Sequence, residues 1–317
     1  MNILLQEFDT PFGTVPFHKI NTKDYLPAIE VAIKTGKEEI GKITSLTSEP
    51  TFENTLEALE RSGDLVGRIS SIFFNLNSAE TTPEIQKIAK SISPLLTAFS
   101  NDIILDKKLF ERVRHVYDHR QEITLTAEQE MLLQKTYKSF VRNGANLDSV
   151  AKSQLREIDS ALAQLSLEFG EHVLSETNSY KLEITQEQDL AGLPESVKEA
   201  AVLTAREKGL PNSWLFTLQA PSYLAFMTYA ENRSLREELY RAFASRAFKP
   251  NENNNENVLL KIVKLRYERA RLLGFASHAD FVLQERMAES AEKVENFLVD
   301  LLQHAKPIAL QELKEIL

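Results

Sequence analysis

Between Leu147 and Glu176 the apolar residues Leu155, Ile158, Leu162, Leu165, Phe169 and Val173 step by three or four, which lays one stripe along an α-helix. At ~1.5 Å per residue, the run predicts a single helix on the order of 45 Å long, a structural strut rather than a connector. The same spacing recurs along most of the chain, and glycine is sparse at 10 of 317 residues. It predicts helices near 23–44, 52–76, 83–103, 106–119, 126–142, 147–176, 194–208, 221–230, 233–247, 254–273, 277–285 and 290–317, and hence an all-α, mainly helical fold. No repeat of fixed period stands out, which argues against a regular solenoid.

Helix start signals stand where this reading needs them: Thr82 before Pro83 and Glu84, Thr126 with Gln129, and Ser234 with Glu237. Two stretches alternate apolar and polar residues instead, SYKLEIT at 179–185 and SWLFTLQ at 213–219. They predict a small antiparallel β insert, with a sub-boundary of the chain near 177–220, and Pro221 then opens the next helix. The asparagine-rich KPNENNNEN at 249–257 reads as an exposed loop and helix cap. The last residues, KPIALQELKEIL, form an amphipathic pattern with no C-cap glycine, so the chain reads as cut within an element.

A length of 317 residues with 43% hydrophobic content allows a substantial core in one large or two medium domains. Lys plus Arg number 37 against 46 Asp plus Glu, and the net charge of −9 argues against partners such as nucleic acid or an anionic membrane. The absence of cysteine removes disulfides, thiolate metal sites and cysteine nucleophiles together. The opening MNILLQEFDTPFGTVPF lacks a basic start and a continuous apolar core, and no segment approaches the length of an apolar membrane span. The expectation is a soluble, cytoplasmic protein without a retained targeting signal.

In HVYDH, His115 and His119 are four apart, so both imidazoles share a helix face with the spacing of two zinc ligands. Val116 stands where an HExxH motif has its general base, and Asp118 points about 100° away from His119 around the axis. The segment reads as a polar last helical turn whose histidines meet the negative end of the helix dipole. His18, His172, His278 and His304 lie in no HExxH setting either. The aromatic residues Tyr223, Phe226, Tyr229 and Tyr240, with Arg233, Arg236 and Arg241, are the most inviting substrate surface, since arginine pairs with a free carboxylate in bidentate fashion. Yet Tyr223, Phe226 and Ala230 have core spacing, and Arg236 with Tyr240 is an ordinary i,i+4 pair, so packing is the expected role. Trp214 reads as a core anchor rather than a ligand platform. Glu237 and Glu238 are adjacent and diverge on a helix, which removes a paired acid and base. No G-x-S-x-G elbow and no P-loop occurs. No catalytic, substrate-binding or metal residue is assigned.

Several longer stretches carry a family likeness: FENTLEALE at 52–60, FNLNSAETTPEIQ at 74–86, FVRNGANL at 140–147, GLPESVKEAA at 192–201, LQAPSYLAFMTYAENRSLREELYRAFASRAF at 218–248 and RYERARLLGFASHADFVLQERMAES at 266–290. Together they resemble the thimet oligopeptidase family of zinc metallopeptidases, and FVRNGANL and SHADFVLQERMA are most similar to the bacterial peptidyl-dipeptidases, which remove dipeptides from peptide C-termini. The resemblance implies that the zinc-binding HExxH helix and a third glutamate ligand lie in a C-terminal half beyond this sequence. It implies a clam-shaped enzyme of two mainly helical halves around a deep channel, with residues 1–317 supplying most of one wall. Zinc would then be the cofactor of the full-length enzyme and short peptides its substrates. This chain would hold no metal, would be inactive alone, and would have the catalytic half as its partner. The rival expectation is a non-enzymatic helical binding or scaffold protein, complete at Leu317.

Overall fold

The computed structural model describes residues 2–317. In chain order the helices are α1 (Thr22–Ser45), a π-helical turn (Phe52–Glu57) running into α2 (Ala58–Arg61), α3 (Asp64–Ala79), α4 (Pro83–Ile104), α5 (Lys107–Asp118), α6 (Ala127–Arg142) and α7 (Ser149–Ser179). Strand β1 (Leu182–Ile184) precedes α8 (Glu195–Glu207), and β2 (Trp214–Phe216) precedes α9 (Ala220–Tyr229). Then come α10 (Arg233–Ala244), α11 (Glu256–Leu272), α12 (His278–Leu283) and α13 (Ala291–Ile316). The fold is mainly helical, as the spacing predicts. The chain divides into two compact units, Met1–Gln164 with Val263–Leu317, and Leu165–Ile262. The β insert lies inside the second.

In the first unit, local side-chain chemistry starts the helices. The Thr82 hydroxyl accepts from the Ile85 N–H at 3.2 Å, with Pro83 in the first turn of α4. Thr126 and Gln129 cap α6 reciprocally at 3.0 and 3.2 Å. The helix expected over 52–76 is broken: Gly63 sits at φ +77 and turns the chain between α2 and α3. The π-helical turn before it is held by Arg112, buried on α5, which donates to the Leu46 and Ser48 carbonyls and to Asn54 Oδ1 at 2.8 Å.

Two apolar clusters fill this unit. Helices α1, α3 and α4 contribute the fully buried Tyr25, Ile29, Ile69, Phe73 and Ile92, with Tyr25 edge-on to Phe73 at 5.0 Å. Helices α5 and α6 close over the π-helical turn through Leu109, Phe110, Leu133 and Phe140, with Phe110 and Phe140 stacked at 5.9 Å. Of the six-residue stripe predicted along α7, Leu155 is fully buried and the other five are half-buried. Helix α13 has no buried residue, and Phe297, Leu298, Leu301, Leu302 and Ile308 all stand open to solvent.

The second unit is built on the antiparallel pair β1 and β2, in which Leu182 faces Phe216, Glu183 faces Leu215 and Ile184 faces Trp214. Leu182, Ile184 and Phe216 join Leu193, Phe226 and Leu239 in one core. Helix α10 starts at Asn232, whose side chain accepts from the Leu235 N–H at 3.2 Å. Ser234, expected as the cap, lies inside the helix because an asparagine two residues earlier reaches the free N–H groups first.

The asparagine-rich segment is more than an exposed loop. Asn255 is buried; its amide donates to the Phe169 carbonyl at 3.0 Å and its Oδ1 lies 2.8 Å from His172 Nδ1. Asn251 donates to Glu176 at 2.7 Å, and Lys249 pairs with the same buried carboxylate at 3.0 Å. Burial pushes the Glu176 carboxyl up, but the hydrogen bonds from Lys249 and Asn251 outweigh it and hold the group below its ordinary range. A depressed folded-state value stabilises the fold above the unfolded glutamate value of about 4.3, and that contribution is lost as pH falls through the folded value. The melting temperature should therefore drop from pH 5 towards pH 3 more steeply in the parent chain than in Glu176→Gln. Parallel slopes in thermal melts would contradict this account.

Candidate functional site

One open cavity lies wholly within the second unit. Helix α8 lays small side chains along one face at four-residue steps, Ser196, Ala200 and Thr204. Across from them run Leu215, Phe216 and Thr217, with Ser222 and Ala225 from the first turns of α9. The open cleft between them has a volume of about 680 Å³, within the ~300–1,000 Å³ common for ligand sites. The turn into α9 is fixed by the Thr217 N–H, which donates to Ser222 Oγ at 3.0 Å. At the end of α7, Asn178 Oδ1 accepts from Gln219 Nε2 at 2.9 Å and closes one rim. Glu207 and Lys208 stand at the cleft's lining as its only charged side chains and cancel each other.

None of the aromatic residues and arginines between 223 and 241 lines this cleft. Tyr223 stacks on Phe243 at 4.1 Å and Phe226 is fully buried, whereas Tyr229 and Tyr240 are exposed. Arg236 donates to the Ala230 carbonyl, and Arg241 pairs with Glu237 at 2.8 Å one turn earlier. Trp214 packs partly buried against the core of this unit and lines a second, shallower pocket of about 420 Å³ on the other side of α8, beside Lys198, Leu203 and Arg206. Single residues do not announce the cleft, because much of its wall is alanine, serine, threonine and amide. The available signal was the four-residue step of small residues in α8.

His115 lies in the last turn of α5 and His119 is its C-cap. Their rings stack at 4.3 Å with 27° between planes, and His119 Nδ1 is taken by the His115 carbonyl at 2.8 Å, which pushes its pKa up. Imidazole lone pairs lie in the ring plane, so two stacked rings aim them side by side rather than at one point. His115 Nε2 sits 3.4 Å from Glu49, yet among the described residues no group of three or more His, Asp or Glu is placed to hold a metal. The donor set does not fit a catalytic zinc, which needs three protein ligands and an open position. Calorimetry on the chelator-treated chain should show no zinc site tighter than about micromolar. A nanomolar site abolished by both His115→Ala and His119→Ala would refute that geometry.

Residues 226–317 match the family described as Peptidase family M3. The chain is 33% identical to oligopeptidase A of Escherichia coli (strain K12) over 311 residues, which is 97% of this chain and 46% of the relative. It is 32% identical to dipeptidyl carboxypeptidase of the same organism over 316 residues, 100% of this chain and 46% of the relative. Saccharolysin of Saccharomyces cerevisiae is 27% identical over 274 residues, 85% of this chain and 37% of the relative. The chain is therefore a relative of the M3 peptidases, as its sequence resemblance implies. It spans about half the length of the curated relatives it matches. Among the described residues, no helix is long and apolar enough to cross a membrane.

Proposed function

We propose that this chain is the N-terminal, channel-wall portion of a zinc-dependent peptidase that acts on short peptides and releases C-terminal dipeptides. The observation that carries the reading is the match along 97% of the chain to one peptidase and 100% to another, each covered over 46% of its own length. The groups that would hold zinc belong, on this reading, to the part of the relatives that the chain does not span. Its own residues would bind and position peptide and keep charge away from it. The cleft in Leu165–Ile262, whose lining carries no net charge, suits that task, and the cytoplasm is its expected compartment.

The test is to assay chain 1–317 beside a product extended through the following reading frame, on a peptide with a free C-terminus and on its C-amidated form. The extended product should release dipeptides from the free peptide, lose activity to a chelator and regain it with zinc, while chain 1–317 stays inactive. An extended product without hydrolysis, or hydrolysis by chain 1–317 alone, would overturn the proposal. Peptide binding without hydrolysis by either product is the result a non-enzymatic binding protein would give.

A further inference from the structure

Helix α6 sets Lys135, Lys138 and Arg142 on one face at steps of three and four, where like charges repel. One carboxylate answers all three, that of Glu285 just after α12. Its Oε2 lies 3.1 Å from Lys135 Nζ, while its Oε1 pairs with Lys138 and lies 3.2 Å from Arg142 Nη1. The hydrogen bond from Lys138 foremost holds this carboxyl below its ordinary range, so it stays charged. With Ser139 and Asn143 these residues line an open cavity of about 360 Å³ inside the first unit. Three cations against one carboxylate leave 3 − 1 = 2 positive charges on the lining, in a chain whose net charge is −9. The negative end of the α6 dipole, roughly half a charge, offsets only part of that excess.

Arg142 shows how thinly Glu285 is shared. Its side chain is only 9% exposed, donates to the Phe281 carbonyl and lies 4.7 Å from the Phe281 ring centroid, so it is fixed in place. Its buried Nη1 is within ion-pair distance of Glu285 yet makes no hydrogen bond among the described residues, and a buried donor left without an acceptor is costly. A second carboxylate in the cavity would leave one positive charge over. A phosphate group carries close to two negative charges and three strong acceptor oxygens, which matches the two exposed ammonium groups and leaves Glu285 to Arg142.

We propose that Lys135 and Lys138, with the Ser139 hydroxyl beside them, bind a doubly charged oxyanion of the phosphate type, and that Glu285 then turns wholly onto Arg142. The probe is inorganic phosphate at about pH 8, where the dianion predominates, titrated into chain 1–317 at constant ionic strength with sodium chloride as the reference salt. Backbone amide shifts should saturate and be confined to 135–143 and 281–286, the segments that carry the cluster. Lys135→Gln with Lys138→Gln should weaken binding by about tenfold or more, and the fold should tolerate both because both side chains are exposed. Glu285→Gln should strengthen binding by removing the competing negative charge. A parallel titration with N-acetyl-phosphoserine amide separates the sources of the anion: tighter binding than inorganic phosphate assigns the site to phosphate monoesters, equal or weaker binding to the free ion. Shifts that do not saturate by about 20 mM phosphate, a range that reports millimolar affinity, or that chloride reproduces, would overturn the proposal. So would unchanged affinity in the double lysine variant, or weaker phosphate binding in Glu285→Gln.

Discussion

Gly192→Ala is expected to destabilise the second unit strongly. Gly192 has φ +84, and an alanine Cβ there would lie 2.3 Å from the Tyr229 carbonyl oxygen and 3.2 Å from the Glu231 nitrogen. Both are main-chain atoms, fixed by the Glu231 N–H that donates to the Ala191 carbonyl at 2.9 Å, so the clash cannot be relieved by turning a side chain. The left-handed conformation alone costs an L-residue about 1–2 kcal/mol, and forcing the strand-to-helix connection away from α9 brings the expected loss to roughly 3 kcal/mol or more. Because whole domains are stable by only ~5–15 kcal/mol, a loss of that size should show as lowered amide-exchange protection across 165–262. Protection through 22–145 should be retained. Unchanged protection at β1, β2 and α9 would show that the connection yields more easily than its hydrogen bond indicates.

The second large effect is in the first unit. Phe73 is fully buried between Tyr25, 5.0 Å away edge-on, and Phe74 at 5.1 Å. Phe73→Ala should cost about 3–5 kcal/mol, because the space left among three helices can close only partly. Phe73→Leu, which keeps most of the volume, should cost less than half as much, roughly 1–2 kcal/mol. The readout is the denaturant midpoint of α1, α3 and α4 followed by amide exchange. Equal losses for the two variants would mean that the aromatic contacts, rather than the filled volume, hold this core.

What the sequence makes legible here is what is local. The three-and-four spacing reports helices because a helix repeats its own face, and Thr82 and Thr126 report helix starts because their hydroxyls satisfy N–H groups only three residues away. The break at Gly63 is also local, but a lone glycine inside a helical pattern costs only about 1 kcal/mol and gives no sign that the chain will turn there. The burial of Asn255 is not legible at all: its partners, His172 and the Phe169 carbonyl, are 83 and 86 residues away in sequence. The cleft is hidden for a different reason. Its walls are defined by the small size of Ala200, Ser222 and Ala225, and small residues carry no chemical signature until the fold sets them opposite one another. The histidine pair shows the reverse case, in which spacing invites a chemistry that ring orientation withdraws.

Helix α13 separates what folding requires of a residue from what the sequence spells. None of its side chains enters the interior of the described fold, so a serine in place of Leu301 or Leu302 would leave that interior as it is. For the stability of this chain alone those positions are free letters. A helix written in leucine, phenylalanine and isoleucine therefore holds an apolar face open where the folding of this chain would accept almost any helix-forming residue.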